Sequence, residues 1–423
     1  MKTYAMMILG CKVNDYEATF VRENMDRYFK EVDFKQKADI YLIFTCCVTN
    51  TAEAKTRKFI HAARRNNPDA YIAAIGCLSQ IKGSSDVFDD VDLIVGSDSK
   101  DRIVDLILNN EKINTVHDNI STEFEDLFIR SYPSKSRSFL KIQDGCNQFC
   151  SYCVIPYSRG RERGGRHERI IEEAKELVKT NREIVLTGIH TGRYNDGEYD
   201  LYMLLKDLCE IDELQTIRLS SIEITEINDE IIELMKKNEK IAHHLHIPVQ
   251  SCNDDILKVM RRPYTIAEYA DRISYIRKEI PNISISTDLI VGFPGETDDR
   301  FADTLEHLRQ ISFSFIHVFP YSRKSRTAAD QMDGHIDPKI KKQRVKDVME
   351  LQKPITLQYQ KSLKGKKVKL LAEKYEEGIS YGYCREYVYI AVNEELKIGE
   401  LYDVIIDDVS EEGVSGHVAE QTV

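Results

Sequence analysis

KIQDGCNQFCSYC, residues 141–153, decides how the rest of the chain is read. Cys146, Cys150 and Cys153 stand there in C-x3-C-x2-C spacing, directly after the strand-like stretch SFLKIQ. In a chain that alternates strands with amphipathic helices, such strand ends are where βα barrels carry their chemistry. Three thiolates on one short loop can hold three corners of a cubane iron–sulfur cluster and leave its fourth iron open. Structural zinc instead takes four ligands and closes its shell. A zinc reading would have to recruit Cys209 or Cys252 from far along the chain. The polar neighbours Asn147, Gln148 and Ser151 argue against a chance grouping of core cysteines.

Outward from this loop, SFLKIQ, EIVLTGI, TIRLSSI, HLHIPVQ, ISTDLIVGF and FSFIHVF alternate with amphipathic helices such as 170–179 and 301–310. This pattern predicts a partial (βα)6 barrel over 139–358. Upstream, YAMMILG, DIYLIFT, AYIAAIG and DLIVG are separated by helical patterns at 16–29 and 53–65. They predict a doubly wound parallel α/β domain over 1–120. The polar stretch around Pro133 reads as a linker over 121–138. Past a lysine-rich helix, five short strands turn at Gly365, Gly378, Gly399 and Gly413, predicting a small antiparallel β-barrel over 359–423. The fold class is α/β throughout the first two regions.

A second cysteine set ends the N-terminal strands: Cys11 after YAMMILG, Cys46 after DIYLIFT and Cys77 after AYIAAIG. In a doubly wound sheet the carboxyl ends of neighbouring strands line one crevice, so these three can meet and again leave one iron open. The competing reading is that they are small buried hydrophobes, and Cys47 beside Cys46 leaves open which thiol ligates.

The 423 residues include 10 cysteines and 42% hydrophobic residues, with no stretch approaching the ~18 apolar residues of a spanning helix and no cleavage signature. A cytoplasmic, reducing location is expected, in which the cysteines serve as ligands or reactive thiols rather than disulfides. The net charge of -11 excludes nonspecific coating of nucleic acid. Local charge differs: basic residues crowd positions 323–374, where a polyanion could dock, although from charge alone a solvated helix followed by a basic strand is the favoured reading.

The C-x3-C-x2-C loop resembles the radical S-adenosylmethionine superfamily. That resemblance implies that the open iron is chelated by S-adenosylmethionine, whose reductive cleavage yields a 5′-deoxyadenosyl radical, and that Tyr152 lies against the adenine. Further blocks, GCKVN (10–14), TCCVTNTAEAKTR (45–57), GCLSQ (76–80), KIQDGCNQFCSYCVIPYSRGRER (141–163), HLHIPVQS (244–251), MRRPYT (260–265) and STDLIVGFPGET (286–297), make the whole chain resemble the methylthiotransferase family. The resemblance implies two 4Fe-4S clusters, one at Cys11, Cys46 and Cys77 and one at Cys146, Cys150 and Cys153. VTNT and KTR are most similar to the branch that converts N6-threonylcarbamoyladenosine beside the anticodon of tRNA, position 37, to its 2-methylthio derivative. Isopentenyladenosine in tRNA and a ribosomal-protein aspartate are the alternative acceptors, and a tRNA-binding protein with structural metal is the non-enzyme alternative.

Thr187, Gly188, Ser220, Ser221 and Gln250 lie at strand ends facing the expected site and are assigned to cofactor contacts. Arg159, Arg161 and Arg163 are expected to meet phosphates, as are Lys364, Lys366 and Lys367 of the C-terminal barrel, which resembles the TRAM module that grips tRNA. Its Tyr381, Tyr383, Tyr387 and Tyr389 are candidates for stacking on bases. His190, His243, His244 and His246 are expected to be structural or to support the ligands. A reductase such as flavodoxin or ferredoxin is the expected electron donor. The chain departs from the family pattern at Phe44, at Cys252 and in RKSRT after FPY, where a local loop difference is inferred.

Overall fold

The apolar runs IYLIFT and YIAAIG are buried along their whole length, as strands covered on both faces must be. In the computed structural model, which describes residues 1–83, 85–132 and 135–419, they are β3 (Ile40–Thr45) and β4 (Tyr71–Gly76) at the centre of a parallel sheet. β1 (Thr3–Ile8), β2 (Lys30–Glu31) and β5 (Leu93–Val95) complete it in the order β2-β1-β3-β4-β5. Helices α1 (Lys12–Met25) and α4 (Ile103–Leu108) pack on one face around Leu42, Phe44 and Ala73. The other face, with Tyr41, Ile43 and Ala74, packs against α2 (Asn50–Asn66) and α3 (Cys77–Lys82). Phe44 is wholly buried in the first of these cores, so the departure there is a packing substitution.

The stretch read as a linker has no strand or helix of its own among the described residues, yet it is anchored, and Pro133 lies outside them. Leu127, Ile129 and Tyr132 join the core of the next region, and Tyr16 of α1 donates to the Leu127 carbonyl at 2.6 Å. Its serines hide three apolar residues that wedge between two bodies.

Six parallel strands follow, β6 (Ser138–Lys141), β9 (Glu183–Thr187), β10 (Thr216–Leu219), β11 (His244–His246), β12 (Ser284–Val291) and β13 (Phe315–Pro320). A short hairpin, β7 (Gln143–Asp144) and β8 (Arg163–Gly164), frames the first cysteine loop and is antiparallel. Continuous ladders join β10-β9-β6 and β11-β12-β13, and isolated parallel bridges at Ile217–Ile241 and Ser221–His246 connect the halves. The result is an open partial barrel, sheathed by α6 (His167–Leu177), α7 (Leu201–Cys209), α8 (Asp229–Lys237), α9 (Asp254–Val259), α10 (Ile266–Glu279) and α11 (Asp298–Ile311), while the short α5 (Ile155–Arg159) packs against α3 of the N-terminal region. Helices α7 to α11 start on side-chain caps: Asp200, Asn228, Asn253 and Thr297 each accept a backbone N–H, and Thr265 forms a capping box with Glu268. Cys252 is fully buried in the barrel core, a small residue at a turn.

The lysine-rich helix α12 (Pro338–Ser362) leads to β14 (Lys367–Glu376), β15 (Ile379–Cys384), β16 (Tyr389–Val392), β17 (Leu401–Ser410) and β18 (Gly413–Val418). These close into a barrel in the order β14-β15-β16-β18-β17. One pair departs from the antiparallel expectation: β16 and β18 run parallel.

Candidate active site between two cysteine sets

The first cysteine loop is held from both sides of the barrel. The Cys146 amide bonds the Gly160 carbonyl at 3.1 Å, and the Gln148 amide points at Cys146 Sγ at 3.4 Å. His190 Nδ1 lies 3.5 Å from the same sulfur, while its Nε2 faces Glu226 at 2.7 Å. Burial works against a charged His190, but Cys146 and Glu226 prevail and raise it to about 10. Arg262 points at Cys150 Sγ at 3.5 Å and is itself paired with Glu223. Burial raises the thiols of Cys150 and Cys153, the latter to about 12, so a thiolate set here needs cationic compensation. Cys146, Cys150 and Cys153 are all partly exposed.

The second set converges at the sheet's carboxyl edge, because β1, β3 and β4 are in register. Gly10 takes φ +104° there, and a Cβ on it would lie 3.0 Å from Cys46 Cβ and 3.2 Å from its Sγ. Glycine is what lets the loop carrying Cys11 approach so closely. Cys11 is exposed, whereas Cys46, Cys47 and Cys77 are buried. A bond from Cys47, opposed by burial and then aided by Arg159, lowers the Cys77 thiol to about 6; burial raises Cys46 to about 11. Cys47 thus engages Cys77, while Cys46 borders the Cys11 loop.

Arg159 corrects an expectation. A phosphate partner is expected from the sequence, yet the side chain is wholly buried, with Nε donating to Cys77 Sγ at 3.0 Å and Nη2 to Asn14 Oδ1 at 2.8 Å. Its Nη1 lies 2.5 Å from Glu17. Arg163 is likewise turned inward, 3.3 Å from Asp144 and bonded to the carbonyl of Arg159 at 2.7 Å. Lys141 bridges Glu17 and Asp144 at 2.8 Å each, and Lys100 reaches Glu125 at 3.0 Å and Glu17 at 3.7 Å. In this cluster four cations face Glu17, Asp144 and Glu125, and the charge balances with Cys77 as a thiolate. Burial opposes ionisation of Glu17, but Arg159, Lys100 and Lys141 hold it down at about 2. Arg161 remains exposed, resting 4.7 Å over the Phe149 ring.

Two adjoining cavities lie between the sets. The larger, about 640 Å³, is lined by Cys11 and Lys12, by Thr187, Gly188, Ser220 and Ser221, and by Tyr387 of the C-terminal barrel. The smaller, about 270 Å³, is lined by Tyr152, Cys153 and Gln250; Asp288 and Phe319 border both. The five strand-end residues assigned to cofactor contacts are therefore divided, with only Gln250 beside Tyr152. Tyr387 stacks on His244 at 4.6 Å and on Tyr383 at 4.6 Å, and Tyr381 stacks on Tyr389 at 5.8 Å. Tyr383 also meets Tyr389 at 4.9 Å, so the rings form an aromatic path from the outer surface to the barrel lumen. Lys364 and Lys367 stay largely exposed near Asp408 and Asp403, and Lys366 bonds Asn282 at 2.5 Å.

Sequence reasoning missed three residues at this site. Lys12, Arg262 and the inward role of Arg159 depend on partners far away in the chain, and no local pattern marks them. Lys12 does lie inside the GCKVN block, and Arg262 inside MRRPYT.

Thiols on a barrel loop suited to an open-iron cluster, beside an aromatic cavity, define a radical S-adenosylmethionine enzyme, and residues 140–308 match the Radical SAM superfamily. Residues 3–96 match the family described as Uncharacterized protein family UPF0004. The chain is 37% identical to the threonylcarbamoyladenosine tRNA methylthiotransferase of Bacillus subtilis (strain 168), over 96% of this chain and 94% of that protein. It is 36% identical to the Thermotoga maritima protein of the same description, over 98% and 96%. A tRNA-2-methylthio-N(6)-dimethylallyladenosine synthase of Thermodesulfovibrio yellowstonii is 32% identical over 99% of both chains. The chain belongs to the tRNA methylthiotransferase family, whose members are transferases. Among solved structures, the radical S-adenosylmethionine methyltransferase TsrM of Kitasatospora setae shares the fold, with a TM-score of 0.55 at 12% identity, over 75% of this chain and 73% of that one.

The family's cofactors are S-adenosylmethionine and 4Fe-4S clusters, and the donor sets fit them. Arg262 and the Gln148 amide already point at sulfur in the barrel loop. Arg159 holds Cys77 toward thiolate in the other set, and Gly10 leaves the space a Cβ would fill.

Proposed function

We propose that this chain transfers a methylthio group to C2 of the N6-threonylcarbamoyladenosine at position 37 of tRNA, using S-adenosylmethionine and two 4Fe-4S clusters. The carrying observation is that Cys11 lines the larger cavity, Cys153 lines the smaller, and Asp288 and Phe319 border both, so a base seated at their junction lies between the two cysteine sets. In this reading Cys146, Cys150 and Cys153 hold one cluster, and Cys11, Cys46 and Cys77 hold the other. The target carbon bears an unactivated C–H, which acid–base chemistry at ordinary pKa values does not open; the bound cofactors supply the radical chemistry it requires.

The chain's own residues bind, orient and exclude water. Tyr152, half-buried against Phe293, gives one flat wall of the smaller cavity, and Gln250 gives a polar group there. A Cβ on Gly188 would meet the Gln143 carbonyl at 3.0 Å, so glycine there lets the strand that leads into the cysteine loop pack close against the end of β9. The aromatic path from Tyr389 to His244 offers faces on which loop nucleotides stack, and Arg161 with Lys364, Lys366 and Lys367 offers phosphate contacts. A flavodoxin or ferredoxin as electron donor and a cytoplasmic location belong to the same reading. No helix among the described residues is long and apolar enough to cross a membrane.

The test is nucleoside analysis of tRNA from a strain lacking the protein. Loss of 2-methylthio-N6-threonylcarbamoyladenosine with its unthiolated precursor accumulating is expected. Loss of the methylthio isopentenyl nucleoside instead would overturn the substrate assignment.

A further inference from the structure

The larger cavity has a charge with no hydrogen-bond or ion-pair partner among the described residues. Three cations line it: Lys12, Arg137 and Arg218. Arg137 is committed to Glu183 at 3.2 Å and to Glu373. Arg218 is committed to Glu183 at 3.1 Å, and its terminal nitrogens bond the carbonyls of Arg385 at 3.1 Å and Cys384 at 3.2 Å. Asp288, the carboxylate of the lining, faces His246 Nε2 at 3.3 Å. Lys12 projects into the cavity from the residue after Cys11, and among the described residues it has neither a hydrogen-bond nor an ion-pair partner.

Two neutral groups on the facing walls point the same way. Ser220 Oγ and His244 Nδ1 are buried, with the residues 6% and 5% exposed, and neither atom has a protein partner among the described residues. His244 spends its other nitrogen on Ser286 at 2.9 Å. Buried polar atoms left unpaired are costly, so a cavity that keeps two of them beside an unpaired ammonium is built for a polar, anionic occupant. An isoprenoid substituent would leave all three unmet. A threonylcarbamoyl substituent carries a carboxylate, a hydroxyl and a ureido group.

We propose that Lys12 is the specificity-determining residue that pairs with the carboxylate of the substrate's threonyl group, with Ser220 and His244 meeting its neutral polar groups. This rests on the reading of the substrate given above. It adds how the cavity tells that nucleoside from an alkylated one: by a cation that only a charged substituent satisfies.

The experiment measures binding of the holoenzyme to three anticodon stem-loop RNAs, carrying threonylcarbamoyladenosine, its uncharged methyl ester, or dimethylallyladenosine. Wild-type protein should bind the acid about tenfold more tightly than the ester. Lys12→Met should bring the acid down to the level of the ester and leave the ester unchanged, with Lys12→Arg restoring most of the difference. The electron paramagnetic resonance spectra of both clusters should be the same in all variants. Equal losses for acid and ester, or an unchanged preference with an altered spectrum of the N-terminal cluster, would overturn the proposal and assign Lys12 to the cluster beside it. A wild-type enzyme that methylthiolates only the dimethylallyl RNA would overturn the substrate reading itself, and the Lys12 assignment with it. Normal turnover of the acid with an unchanged Lys12→Met preference overturns Lys12 alone.

Discussion

The two cysteine sets reach similar chemistry by opposite routes. In the barrel set, three thiols come from one short loop, half-exposed, and burial pushes Cys150 and Cys153 up. In the N-terminal set the thiols are carried by three strand ends, and Cys77 is already low because Cys47 and Arg159 serve it. A local loop can be shaped by its own backbone, as with the Gln148 amide at Cys146. A set assembled by topology depends on the sheet's register and on a charge network behind it. The comparison teaches that the first site is written in spacing and the second in packing.

The harshest way to break the comparison is to remove each set in turn. Cys146, Cys150 and Cys153 replaced together by alanine should bring reductive cleavage of S-adenosylmethionine to the no-enzyme background, measured as 5′-deoxyadenosine. Cleavage at the native rate would show that the loop is not the radical site. Cys11, Cys46 and Cys77 replaced together should abolish the methylthio nucleoside while 5′-deoxyadenosine still forms and one cluster remains by iron count. Because Cys47 touches Cys77, the Cys47→Ala variant should be examined alone and with the triple; retained product in the combined variant would remove the N-terminal set from sulfur insertion.

Arg159 sharpens the contrast, since it belongs to the barrel chain yet serves the other set. Arg159→Met leaves Glu17 and Asp144 short of a buried cation and should destabilise the fold by about 3–5 kcal/mol, read as a lowered denaturation midpoint of the apoprotein. A change below about 1 kcal/mol would show that the network is not buried as described. Smaller still, Lys364, Lys366 and Lys367 replaced together by glutamine should weaken tRNA binding and flatten its salt dependence, by about one unit of slope for each phosphate left without its lysine. Both clusters should be untouched. An unchanged titration would place the RNA elsewhere.

A pH-dependent effect is expected in the seam. Glu173 accepts from Tyr16 at 2.9 Å and from the Ile129 amide at 3.0 Å, and burial above all raises its carboxyl to about 8. A raised acid is neutral in the fold, so its contribution is complete below about pH 4.5 and is lost as the pH climbs toward 8. Glu173→Gln should therefore flatten the fall in stability between those values, seen as a melting temperature less sensitive to pH.

Much of this is legible in the sequence because the signals are local. Six strand-like runs, the C-x3-C-x2-C spacing and cysteines at strand ends each lie within a few residues. The linker misleads because Leu127, Ile129 and Tyr132 are scattered among polar residues, with no period to reveal that they share one core. The arginines mislead for a related reason: YSRGRER looks solvated, but Asn14 and Glu17, the partners that draw Arg159 inward, lie in the first helix of the other region. Gln250 groups with Thr187 and Ser220 in the sequence because strand ends share a face, although the face holds two cavities.

The buried charges have a consequence for anyone who cuts this chain. Glu17 lies on one side of residue 120, and Lys141, Asp144 and Arg159 lie on the other, all within one dry cluster. Severed there, one fragment would keep Glu17 and Cys77 against Lys100 alone, and the other Lys141, Arg159 and Arg163 against Asp144 and Glu125, so each would carry a buried charge short of its counterpart. The two halves should then aggregate when produced singly and rescue each other when coexpressed, behaving as a split protein whose reassembly is driven by exchanged salt bridges. What looks like a seam between modules is in physical terms a weld.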